Sequence, residues 1–125
     1  MIYIALNAIP IIAAALAGLG FATVWYRKRM PVKALVILFL ANVWLGAILA
    51  GALILAPPKG GIWTMTIGSA VVIWAGFVAP ALAGGYQVRK IKARSLAADC
   101  GYWLVAMVAQ AVIMRIIGLT APPAV

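Results

Sequence analysis

The stretch ALVILFLANVWLGAILAGALILA, residues 34–56, runs for 23 residues without a charged side chain and with one side-chain amide, Asn42. About 20 apolar residues suffice for a helix to cross a hydrocarbon core about 30 Å thick. Three further runs share this character, at about residues 2–26, 62–86 and 96–119. Only helices can provide four such spans, because a backbone left unpaired in lipid is too costly. The composition agrees: of 125 residues, 68% are hydrophobic and 9% charged, whereas soluble domains have about half and about a quarter. The expected fold is all-α, a single domain over residues 1–125 in which four transmembrane helices form one integral membrane bundle.

Charge sets the expected orientation. Ten Lys and Arg residues face one acid, for a net charge of +9, and the cations cluster between spans. Arg27, Lys28, Arg29 and Lys33 fill the first break, and Arg89, Lys90, Lys92 and Arg94 the third, while the second holds only Lys59. The positive-inside rule then puts breaks one and three in the cytoplasm and both termini outside. A basic cluster that follows the first apolar run, rather than preceding it, reads as a retained helix and not a cleaved signal peptide. Arg27, Lys28, Arg29, Lys33, Arg89 and Lys90 are candidate contacts for anionic lipid headgroups. Clusters this short give no basic domain able to track a nucleic acid, so nucleic acid is not an expected partner.

The residue inventory narrows the chemistry. There is no His, a single Cys (Cys100) and a single acid (Asp99). Zinc and haem sites draw on imidazole or several thiolates, so no metal and no intrinsic cofactor is expected; lipid, and a pigment held by a partner, are the ligands left open. One carboxylate cannot supply the paired acid and base of hydrolysis, and Cys100 has no His to activate it. The chain is expected to be non-enzymatic.

Polar and small residues inside the spans predict how the helices meet. Ala14 with Gly18, Gly46 with Ala50, and Ala47 with Gly51 are spaced four apart, allowing close backbone approach. Asn42 and Gln110 are expected to face the bundle interior or a partner, as interhelical hydrogen-bonding groups rather than substrate contacts. Pro10 and Pro80 each remove a helix hydrogen bond and can bend their helices. Pro80, flanked by Gly76, Gly84 and Gly85, makes the third helix the expected site of a kink. Trp25, Tyr26, Trp63, Tyr86, Tyr102 and Trp103 fall near span ends, as interfacial aromatics do. Arg115, about a turn from the end of its span, is expected to snorkel toward the headgroups.

The lone acid sits in SLAADCGYWL, residues 95–104. With Ser95 capping the last helix, Asp99 lies about one turn inside, where the helix dipole favours a carboxylate. It is expected to act as a structural anchor paired with Arg94 or Lys92, the first loop being an equal source of partner, rather than as a proton carrier.

Three stretches, Gly20-Phe-Ala-Thr-Val-Trp-Tyr26, Gly76-Phe-Val-Ala-Pro-Ala-Leu82 and Asp99-Cys-Gly-Tyr-Trp-Leu-Val105, resemble in order and spacing a bacterial family of four-helix membrane proteins, domain of unknown function seventeen sixty-one. The resemblance covers nearly the whole chain and implies the fold and a membrane location. It brings no substrate or cofactor, and it marks Asp99, Tyr102 and Trp103 as candidate key positions. Arg27-Lys-Arg29 departs from it, standing where the family has aromatic residues.

These readings converge on a small multi-pass protein of a bacterial cytoplasmic (inner) membrane. Its expected role is an accessory or stabilising subunit of a larger membrane complex, or a homo-oligomer, with membrane lipids, other membrane subunits or itself as partners. The alternative is a small-molecule or ion transporter or channel, with a path lined by Asn42, Gln110 and the Pro80 kink. Strongly biased loop charge counts against a dual-topology transporter, which needs nearly balanced loops.

Overall fold

The computed structural model describes residues 2–27, 29–56 and 60–121, and among them it contains helices and connecting segments but no strand. The helices are α1 (Ile2–Leu6), α2 (Ala8–Tyr26), α3 (Val32–Leu55), α4 (Ile62–Ile73), a π-helical turn (Trp74–Val78), α5 (Ala79–Val88) and α6 (Ala93–Ile117). α2, α3, the continuous rod Ile62–Val88 and α6 are each long and apolar enough to cross a membrane.

Both prolines act on their helices through the carbonyl they leave without a donor. Pro10 cannot donate to Leu6, and the chain breaks between α1 and α2 at Asn7, whose φ is −114° and ψ 24°. Pro80 cannot donate to Gly76. Ahead of it the ladder slips by one residue, Ala79 N–H bonding to the Trp74 carbonyl, as in a π-bulge. The irregularity therefore precedes Pro80 instead of centring on it.

Helix ends are closed by backbone geometry. At the end of α5 the N–H groups of Lys90 and Ile91 bond the carbonyls of Gln87 and Tyr86, at 3.2 and 2.9 Å. Lys90 itself is left-handed, with φ 57°. This is a Schellman closure with Lys where Gly is usual, which puts a cation at the negative end of the helix. α6 begins at Ala93, with Lys92 as its N-cap residue and no side-chain cap. Ser95 is therefore inside the helix and not its cap, and Asp99 lies nearly two turns in.

The core is a seam of small side chains. Ala14, Ala15, Ala47, Ala50, Ala106 and Ala111 are all buried, together with Ile11, Leu49, Leu53, Met107 and Met114. On α2 the buried positions are Pro10, Ile11, Ala14, Ala15, Gly18 and Ala22, and on α6 Tyr102, Ala106, Met107, Gln110, Ala111 and Met114. Steps of three and four put each set on one helix face. α2 packs most extensively on α6 and α3, and α4 packs mainly on α6. The rod Ile62–Val88 is the loose member: 6% of its apolar window is buried, against 33% in each of the other three spans.

Candidate functional site

Polar and aromatic groups are concentrated along α6 in three places. The first is Asp99-Cys-Gly-Tyr-Trp103. Tyr26, the last residue of α2, donates its hydroxyl to Asp99 Oδ1 at 2.5 Å. Trp25 donates its indole N–H to the Ala98 carbonyl at 3.0 Å, and Trp74, opening the π-helical turn, donates to the Cys100 carbonyl at 2.9 Å. Gly101 accommodates Trp25, because a Cβ there would come within 3.0 Å of the indole ring. The motif is thus a hub to which α2 and the π-helical turn are tied.

The partner of Asp99 corrects the expected ion pair with Arg94 or Lys92. On a helix, residues three or four apart face each other. Arg94 lies five positions before Asp99, and Lys92 stands ahead of the first helical residue, so both are out of register with it. The contact comes from across the bundle, beside the first loop, and from a hydroxyl.

The second place is the middle of the bundle. Tyr102 is 1% exposed, so its side chain faces the bundle interior rather than the lipid. Its ring packs between Tyr26, at a centroid separation of 5.6 Å, and Trp103, edge-on at 4.9 Å. Its hydroxyl donates to the Gly18 carbonyl at 2.8 Å and accepts from Asn42 Nδ2 at 3.2 Å. Asn42 Nδ2 also bonds the Leu38 carbonyl at 2.9 Å. That contact requires the nitrogen on this side and leaves Asn42 Oδ1 to accept from Gln110 Nε2 at 2.6 Å. Asn42 and Gln110 therefore meet each other, joining α3 to α6 in the sealed core. Gln110 Oε1 is buried without a partner among the described residues.

The third place is the opposite end. Asn7 pairs twice with Thr120: its Nδ2 donates to the Thr120 carbonyl at 2.8 Å, and the Thr120 N–H donates to its Oδ1 at 2.6 Å. Arg115 does not snorkel freely. Its Nε donates to Thr66 Oγ1 at 3.0 Å and an Nη to the Leu53 carbonyl at 3.3 Å. Leu53 is in the last turn of α3, where carbonyls lack helical donors and a cation is favoured.

The remaining candidates stay apart from these clusters. Arg27, Arg29, Lys33, Arg89 and Lys90 are exposed, as are Trp63 and Trp25, while Tyr86 is half-buried. Lys28, like Lys59, lies outside the described residues. Sequence reasoning missed the roles of Trp74, Thr66 and Asn7, each of which makes a contact between elements distant in the chain.

A family model described as Protein of unknown function (DUF1761) matches residues 27–115. The chain belongs to that family. The match holds the hub of α6 and the stretch from Gly76 to Leu82, and it begins after the stretch from Gly20 to Tyr26, so it is shorter than the resemblance suggested. Asp99 and Tyr102 lie inside the DUF1761 match, as does Asn42, whereas Tyr26 and Gly18, which also hold them, precede it. No curated protein and no solved structure matches the chain.

Proposed function

We propose that this protein is a non-enzymatic subunit of a larger assembly in a bacterial cytoplasmic membrane, bound to other membrane proteins or to copies of itself. Both termini face outward, and the basic first and third loops contact anionic headgroups in the cytoplasm. The observation that carries this reading is the rod Ile62–Val88, of which 6% of the apolar window is buried against 33% elsewhere. Gly76 and Gly84 on it have nothing within 4 Å of a would-be Cβ. Small residues of this kind let a neighbouring helix approach closely. The transport alternative draws on the unpartnered Gln110 Oε1. We favour the subunit reading because Asn42 and Gln110 are joined to each other and fully buried, an arrangement suited to fastening helices.

Purification from native membranes into nanodiscs tests it. Stoichiometric copurification of another membrane protein, or a defined homo-oligomer, is expected. A monomer that catalyses solute flux in proteoliposomes would overturn the proposal.

A further inference from the structure

Among the described residues, no acidic side chain pairs with Arg115. The only acidic side chain in the chain is Asp99, sixteen residues earlier on the same helix and therefore about 24 Å away along it. A guanidinium has five N–H donors, and two of those of Arg115 are used within the described residues, on Thr66 and Leu53. Both contacts are to neutral oxygens, and both fix the group in place. A half-buried guanidinium held by two neutral acceptors, with donors left over among the described residues, is suited to binding an anion.

The surroundings specify the anion. Arg115 opens on a cavity of about 200 Å³ lined otherwise by Leu53, Ile54, Ile62, Met65 and Leu119 among others. Met65 also lines a second hollow, a groove of about 440 Å³ running along α4 past Gly68, Ser69 and Val72. One guanidinium at the end of the bundle thus adjoins a groove that continues toward the middle of α4 between apolar walls. A soluble anion would use only the first part of this surface. A phospholipid would use both, with its phosphate on the cation and an acyl chain along the groove.

We propose that Arg115 and the α3–α4 groove form a binding site for one anionic phospholipid, at the end of the bundle opposite the basic loops. The phosphate oxygens accept from the free N–H groups of Arg115, and an acyl chain lies over Met65 and Gly68. The site is separate from the exposed cations of the first and third loops and from the hub around Asp99.

Native mass spectrometry with phosphatidylglycerol, phosphatidylcholine and inorganic phosphate as probes tests the site. One phosphatidylglycerol is expected to stay bound to the wild-type chain in preference to phosphatidylcholine. Arg115→Gln, which keeps a donor for Thr66, should weaken retention about tenfold, the scale of one charge-assisted hydrogen bond, and Arg115→Lys should recover part of it. Gly68→Leu, placed where a Cβ meets nothing within 4 Å, should weaken lipid retention by obstructing the groove while Arg115 is untouched. Equal retention by wild type, Arg115→Gln and Gly68→Leu would overturn the proposal. Displacement of the lipid by millimolar inorganic phosphate, or a Gly68→Leu chain that binds lipid normally, would replace it with a headgroup-only phosphate site. Should Arg115→Gln fail to fold, Arg115→Lys and Gly68→Leu decide the question by the same comparisons.

Discussion

Gly18 of α2 and Asn42 of α3 are in such close apposition that a methyl group on Gly18 would collide with the Asn42 side-chain oxygen and crowd Gln110 Nε2. The Asn42 amide cannot give way without losing Leu38, Tyr102 or Gln110. Gly18→Ala is therefore expected to destabilise the bundle by about 2 kcal/mol or more, through overpacking and a broken polar network. Gly20→Ala, two residues along the same helix with open space around it, should be neutral to slightly stabilising. Thermal unfolding of the two variants in one detergent checks the contrast; equal behaviour would contradict the packing described.

Asp99 and Tyr26 should behave as a coupled pair. Tyr26→Phe removes the donor and leaves a carboxylate without its hydroxyl, at a cost of about 1.5–3 kcal/mol. Asp99→Asn keeps an acceptor for Tyr26 and should cost less than Asp99→Ala. In a double-mutant cycle, Tyr26→Phe with Asp99→Ala should show coupling of at least about 0.5 kcal/mol. Coupling of Asp99 to Arg94 or Lys92 instead would restore the ion-pair reading.

Within the core amides the costs should be unequal. Asn42→Leu removes the acceptor of Gln110 and the donor to Tyr102 together. Gln110→Met removes one donor and also the buried, unpartnered Oε1. Interhelical hydrogen bonds in membranes contribute about 0.6 kcal/mol each, rarely above about 1.7, so Asn42→Leu should cost about 1 kcal/mol more than Gln110→Met. Unfolding by denaturing detergent measures this difference.

Gly84→Leu adds bulk to the rod Ile62–Val88 at a point where a Cβ would meet nothing within 4 Å among the described residues. The isolated protein should keep its unfolding temperature, and its assembly should dissociate in a native gel or in cross-linking. A variant that assembles as well as wild type would move the contact surface away from that face.

Asn7→Ala removes both bonds to Thr120. Amide hydrogen exchange at Thr120 should accelerate by about tenfold or more, because a protecting acceptor is lost, while exchange in the middle of α2 stays unchanged.

The fold was legible because the signal for a span is long and redundant: residues 34–56 carry it unaided. That Asn42 and Gln110 avoid lipid followed from the poor fit of a primary amide to it; that they meet each other was visible only in the structure. What was not legible depended on contacts between distant segments. No spacing rule joins Asp99 to Tyr26, 73 positions apart, so the nearest cations looked like the partners. Arg115 looked like a snorkelling side chain because its acceptors, Thr66 Oγ1 and the Leu53 carbonyl, are ordinary groups made available by where α3 ends and α4 begins. Position along the chain placed Tyr102 near a span end and said nothing of its burial between helices.

The polar contacts that reach α6 and the segment after it have a consequence for how the chain is made. Asn42 finds Tyr102 and Gln110 only 60 and 68 residues later, and Asn7 waits 113 residues for Thr120. Until α6 arrives, each amide nitrogen has the carbonyl one turn back, Leu38 or Tyr3. The Oδ1 atoms of Asn42 and Asn7, however, lack their donors, Gln110 and Thr120, a state disfavoured for polar groups in lipid. Helix α6 thus works as a closing bolt, and the chain is most exposed to quality-control proteases in the interval before α6 reaches the bilayer.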